Sequence, residues 1–187
     1  MNLPNKLTVI RIAMIPLCLV CWAAGWHILA AVLFAAAAIT DFLDGYIARK
    51  HNIVTTFGKF ADPVADKILV LTSMIFLCAD GLLPHWAVAI VAARELMVDG
   101  LRMVAVGQGR VIAAGKLGKI KTVSQMVLIL FLMIVGRLVP VFFGGMALLQ
   151  SIVTIIGWGI TAWVGFITVW SGVDYFQRNF DVIRNAK

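Results

Sequence analysis

The stretch Asp41–Asp66, DFLDGYIARKHNIVTTFGKFADPVAD, sets two acids at the end of one apolar run and two more at the start of the next. Asp41 and Asp44 are three residues apart, and Asp62 and Asp66 are four apart, so on helices each pair shares one face. No other part of the chain gathers acids this way. Charge at the ends of greasy helices is costly unless cations or water accompany it. With no Cys or His in the set, the carboxylates specify a hard, oxygen-loving ion, Mg²⁺ first, with Mn²⁺ or Ca²⁺ as substitutes. Two such ions would balance the four charges and suit phosphoryl displacement. The plainer alternatives are solvated helix ends or ion pairs with Arg49 and Lys67.

Outward from this stretch the chain is overwhelmingly apolar. Of 187 residues, 62% are hydrophobic and 13% charged, with a mean hydropathy of +0.99. A soluble domain of that composition would face water with large apolar patches, so the expectation is an integral membrane protein. At about 20 residues per span, the length suits one compact bundle, a single domain over residues 1–187. The net charge of +7 does not point to nucleic acid, because Lys and Arg lie in the short connections between apolar runs. Cys18, Cys21 and Cys78 sit within apolar runs and read as packing residues. The basic, apolar N-terminus reads as a retained helix rather than a cleaved leader.

Six spans are expected: Leu7 to about Gly25 with a kink at Pro16, Ile28–Lys50, Asp62 to about Leu82, His85–Gln108, Lys119–Gly136 and Met146–Phe176. His51–Lys59 reads as a loop, and Gly136–Gly145 as an outer loop holding Pro140. The loop cations, among them Lys6, Arg49, Lys59, Arg110, Lys116 and Arg184, fall on one side, and Arg137 alone on the other. By the positive-inside rule both termini and all four aspartates are cytoplasmic. The fold expectation is therefore an all-α integral membrane protein, with six transmembrane helices and a cytoplasm-facing active site in the inner membrane. His27, His51 and His85 fall at predicted interfaces without assigned chemistry.

Beside the acids, Gly45 and Ala48 would let a bulky group approach the backbone, and Arg49 can reach a phosphate; close helix packing accounts for the small residues equally simply. Taken together, Asp41-x-x-Asp44-Gly45-x-x-Ala48-Arg49 followed by Gly58-x-x-x-Asp62-x-x-x-Asp66 resembles the complete signature of the CDP-alcohol phosphotransferase family. The opening Pro4-Asn5-x-x-Thr8-x-x-Arg11 extends the resemblance over nearly the whole chain. It implies that Asp41, Asp44, Asp62 and Asp66 bind two metal ions, that Asp66 also serves as base, and that Gly45, Ala48, Arg49 and Gly58 line the CDP site. It also implies a homodimer.

The signature leaves the acceptor alcohol open. Arg94, Arg102, Lys119 and Lys121, with Thr8, Arg11 and Arg110 as weaker candidates, favour an anionic acceptor over a neutral one. Snorkelling, capping and headgroup contacts explain several of these cations as simply. The stretches Ala93-Arg94-Glu95-Leu96 and Gly115–Thr122 are similar to bacterial family members that use sn-glycerol 3-phosphate. The expected reaction is transfer of a phosphatidyl group from CDP-diacylglycerol to glycerol 3-phosphate, with release of CMP. Inositol phosphate or phosphatidylglycerol as acceptor is the alternative within the family, and a cation transporter the alternative outside it. Acids at helix ends rather than at mid-span disfavour transport.

Overall fold

The structure, a computed structural model, describes residues 3–50, 56–113, 115–144 and 146–184, without the side chains of 3–7, 41–50, 56–62 and 183. All its regular elements are helical: α1 (Leu3–Ala23), α2 (His27–Lys50), α3 (Thr56–Ala79), α4 (His85–Gly107), α5 (Lys116–Phe131), a π-helical turn (Leu132–Gly136), α6 (Arg137–Phe142), α7 (Ala147–Arg178) and α8 (Phe180–Arg184).

Two boundaries differ from expectation. α3 starts at Thr56 and carries Pro63 inside it, so part of the expected loop before Asp62 is helix. Proline removes one backbone donor without obliging a helix to begin there. The expected outer loop is largely α6, which carries Pro140 inside it. The π-helical turn joins α5 to it, and the continuous run Lys116–Phe142 is long and apolar enough to cross a membrane. Ala147–Arg178 passes the same criterion. At 32 residues, α7 is about 48 Å long and outruns a hydrocarbon core of about 30 Å. The short helix α8 had no clear sequence signal.

α1 lies along α2 and touches α3, while α7 packs on α5 and α4. In a membrane, lipid tails solvate apolar side chains as well as Leu does, so close packing and small residues drive helix association. Ala30, Ala31 and Ala37 on α2 are buried in one apolar cluster with Cys18, Cys21 and Trp22 of α1. Cys18 and Cys21 are thus free packing thiols, as read from the sequence. On α7, a methyl group added at Gly165 would lie 3.1 Å from Trp86 Cζ3, which explains why that crossing with α4 takes glycine. Large side chains on the far face of α7, such as Ile155, Trp158 and Phe166, point outward. That apolar exterior is suited to lipid.

The turns around α4 follow backbone chemistry. Gly81 and Gly109 have φ of 73°, and each closes a helix with paired bonds, Leu82 N–H to Leu77 O and Arg110 N–H to Ala105 O among them. Only glycine adopts this left-handed position cheaply. At the same end as Gly81, Trp22 Nε1 donates to Asp80 Oδ2 at 3.0 Å. Arg137 Nε donates to His27 Nε2 at 3.1 Å, so α1, α2, the end of α3 and α6 are tied together by polar contacts.

Candidate functional site

The buried stripes of three helices change character along their length. On α4 the stripe runs Ala87, Val91, then Glu95; on α5 it runs Leu128, Gln125, then Lys121; on α7 it runs Val164, Thr168, then Ser171 and Tyr175. Helical periodicity therefore aims polar groups at one interior place. There, α3 contributes Asp66 and Lys67, α4 Arg94, Glu95 and Arg102, and α5 Lys121 and Thr122, with Ser171, Asp174 and Tyr175 from α7. Together they line a cavity of about 150 Å³.

Ion pairs hold its cations in place. Lys121 donates to Glu95 Oε1, and Arg94 Nη1 lies 3.5 Å from the same oxygen. The Lys121, Glu95 and Arg94 side chains are only 5%, 10% and 12% exposed. Lys67 pairs with Asp99. Arg102 Nε donates to Tyr175 Oη at 3.1 Å, and its guanidinium carbon lies 5.5 Å from the Tyr175 ring centroid. Arg94 and Lys121 share the Glu95 carboxylate, and with Lys67 and Arg102 they give the cavity wall four cationic heads, which suit an anionic guest. Gln125 is 1% exposed, and its Nε2 has no hydrogen-bond partner among the described residues. It borders a narrow extension of the cavity together with Asp66 and Glu95.

The residues named from the sequence distribute unevenly around this cavity. Asp66, Arg94, Arg102 and Lys121 line it, whereas Lys119 is exposed and absent from its walls. Arg110 binds Asp181 Oδ2 at 2.6 Å on the exposed surface. Thr8 and Arg11 are buried in α1, at 1% and 0% exposure. The side chains of Asp41, Asp44, Gly45, Ala48, Arg49, Gly58 and Asp62 lie outside the described residues. Their backbone positions are helical, within α2 and α3. Asp41 and Asp44 are three positions apart on α2, and Asp62 and Asp66 four apart on α3; an all-carboxylate set is the chemistry that suits a hard divalent ion.

Sequence reading passed over Lys67, Glu95, Asp99, Gln125, Ser171, Asp174 and Tyr175 as site residues. A signal existed for the last three: polar side chains at i, i+3 and i+4 within the longest apolar helix. Glu95 is the sequence neighbour of Arg94. Its bond to Lys121, 26 residues on, is visible only in the fold.

The chain is similar to the CDP-diacylglycerol–glycerol-3-phosphate 3-phosphatidyltransferase of Bacillus subtilis, 40% identical over 99% of this chain and 98% of the relative. The proteins of the same name from Rickettsia felis and Salmonella choleraesuis are 37% and 38% identical, covering 94% and 71% of this chain and 94% and 76% of their own lengths. Residues 1–163 match the family model described as CDP-alcohol phosphatidyltransferase. With near-complete coverage at this identity, the chain belongs to the CDP-alcohol phosphatidyltransferase family.

Proposed function

We propose that this protein transfers the phosphatidyl group of CDP-diacylglycerol to sn-glycerol 3-phosphate, forming phosphatidylglycerophosphate and CMP. The observation that carries the reading is the cavity joining Asp66 to Lys121, Arg94 and Arg102 inside an apolar bundle. A carboxylate base for a hydroxyl and a set of cations for a phosphate are what a phosphorylated alcohol needs. The relatives' names supply the same donor and acceptor.

Asp66 takes the proton of an acceptor hydroxyl. The freed oxygen forms a bond to the lipid-side phosphorus as the bond from that phosphorus to the CMP oxygen breaks, and CMP leaves with the electron pair. Arg94, Lys121 and Arg102 hold the acceptor's phosphate, with Glu95 and Tyr175 fixing their heads. Gly45, Ala48, Arg49 and Gly58 line the CDP site. Asp41, Asp44, Asp62 and Asp66 would hold divalent ions, Mg²⁺ by donor chemistry, which when bound neutralise charge on the phosphate oxygens.

The protein is read as a single domain of six spans in the cytoplasmic membrane, with both termini and the site on the cytoplasmic side. The distribution of Lys and Arg supports this orientation. A homodimer is the expected assembly. Purified protein supplied with Mg²⁺ and CDP-diacylglycerol should release CMP when glycerol 3-phosphate is added, and not with serine, inositol phosphate or phosphatidylglycerol. Absence of CMP with every acceptor would overturn the assignment.

A further inference from the structure

A second cavity, of about 500 Å³, lies between α4 and α7. Its walls include Ile90, Ala93 and Met97 from α4 and Val169, Val173 and Phe176 from α7, which recur at three- and four-residue spacing along one face of each helix. Met97, Val169 and Val173 are also 57%, 51% and 48% exposed, so the groove opens sideways where lipid would lie.

Among the described residues, Arg94 lines both this groove and the polar cavity. The two ends of its side chain divide between them. A methyl group at Gly172, in the groove, would lie 3.3 Å from Arg94 Cγ, and one at Gly118, in the polar cavity, 3.8 Å from its Nη2. Its buried Nε has no hydrogen-bond partner among the described residues. The stem thus forms apolar wall and the head faces polar space, the division expected of a long cationic side chain at such a boundary.

We propose that the groove takes an acyl chain of the CDP-diacylglycerol substrate, with Arg94 at the point where the chain gives way to the phosphate-bearing head. This rests on the transferase reading above and adds a chain-binding subsite to it. Continuity selects the occupant: a groove that closes on a polar cavity through one amphipathic side chain matches a molecule with the same change of polarity. A protein surface covering the groove would have no use for that junction.

The test fills the groove from either wall, with Ala93→Phe on α4 and Val169→Phe on α7, away from the polar cavity. For dioleoyl CDP-diacylglycerol, KM should rise about tenfold, the scale of losing a few buried methylenes, with the KM for glycerol 3-phosphate unchanged. A dihexanoyl CDP-lipid, too short to fill the groove, should show little change. Equal KM values for variants and wild type, or equal shifts for both lipids, would overturn the subsite.

A CDP-diacylglycerol probe with a diazirine near the end of one acyl chain gives a readout on the wild-type protein. It should label residues 90–97 or 169–180, and excess CDP-diacylglycerol should abolish the labelling while phosphatidylcholine does not. Labelling that phosphatidylcholine displaces equally means bulk lipid, and crosslinking of these segments to a second copy of the chain means an interface. Either result overturns the proposal. Wild-type CMP release, measured in parallel, separates this failure from failure of the transferase reading.

Discussion

Lys121 donates a hydrogen bond to Glu95 across 26 positions of sequence, and both side chains are almost closed to solvent. Breaking such a pair from one side strands a charge, at a cost of about 3 kcal/mol or more. Glu95→Ala should therefore lower the thermal midpoint in detergent by several degrees and raise the KM for glycerol 3-phosphate. Replacing both partners with Met removes the stranded Lys121 charge but leaves Arg94 without its Glu95 partner, so stability should return in part while acceptor affinity does not. Recovery of both would reduce the pair to a packing device.

Asp66 is the cavity's candidate base. Asp66→Asn keeps the size and polarity of the group but cannot take a proton, so turnover should fall by about 10²-fold or more, the usual scale of general-base help. Binding of CDP-diacylglycerol should survive, as measured by equilibrium binding in nanodiscs. A folded variant with near-normal turnover would remove Asp66 from the base role.

The acid stretch was legible because its information is local: spacing of three and four, apolar runs on both sides, and a motif complete in one segment. The all-helical class was legible for the same reason, and the ends of α2 and α4 fell within a residue of expectation. Pro140 marked a false loop, since a proline in a sequence does not say whether the lost backbone bond is tolerated in that place. The acceptor side was only half legible. Arg94 and Lys121 stood out as charges in apolar surroundings, but Glu95 between them, Tyr175 under Arg102 and the groove behind Arg94 arise from contacts among α4, α5 and α7. Such long-range pairings leave no mark in spacing along one helix.

At the surface, Arg110 and Asp181 tie the end of α4 to α8 at 2.6 Å. The hydrogen bond from Arg110, more than its charge alone, holds the Asp181 carboxyl below its ordinary value of 3.8. A depressed carboxyl pKa stabilises the fold above the unfolded value, and that contribution disappears as pH falls through the folded value. The unfolded chain takes up the proton first. Both groups are half-exposed, so the effect should be small and weaken with salt. Carboxyl NMR titration of Asp181 should show a depressed midpoint that moves up toward 3.8 in Arg110→Ala. An unchanged midpoint in that variant would assign the shift to the backbone of α8 instead.

Arg102 meets Tyr175 twice over, through a 3.1 Å hydrogen bond from its Nε and through the face of the ring. Tyr175 is 6% exposed and belongs to the apolar cluster of Val98, Leu101 and Ala105, so packing anchors its ring while its hydroxyl aims the guanidinium. Tyr175→Phe should keep the packing and lose one hydrogen bond, about 1 kcal/mol of orientation. The KM for glycerol 3-phosphate should then rise about fivefold with kcat nearly unchanged, because the lost contact positions a binding group rather than the reacting atoms. Arg102→Lys should cost more, since an ammonium can neither stack on the ring nor present a forked donor to phosphate. Equal KM values for Tyr175→Phe and wild type, alongside a large effect of Arg102→Lys, would show that Arg102 binds phosphate without needing the tyrosine to orient it.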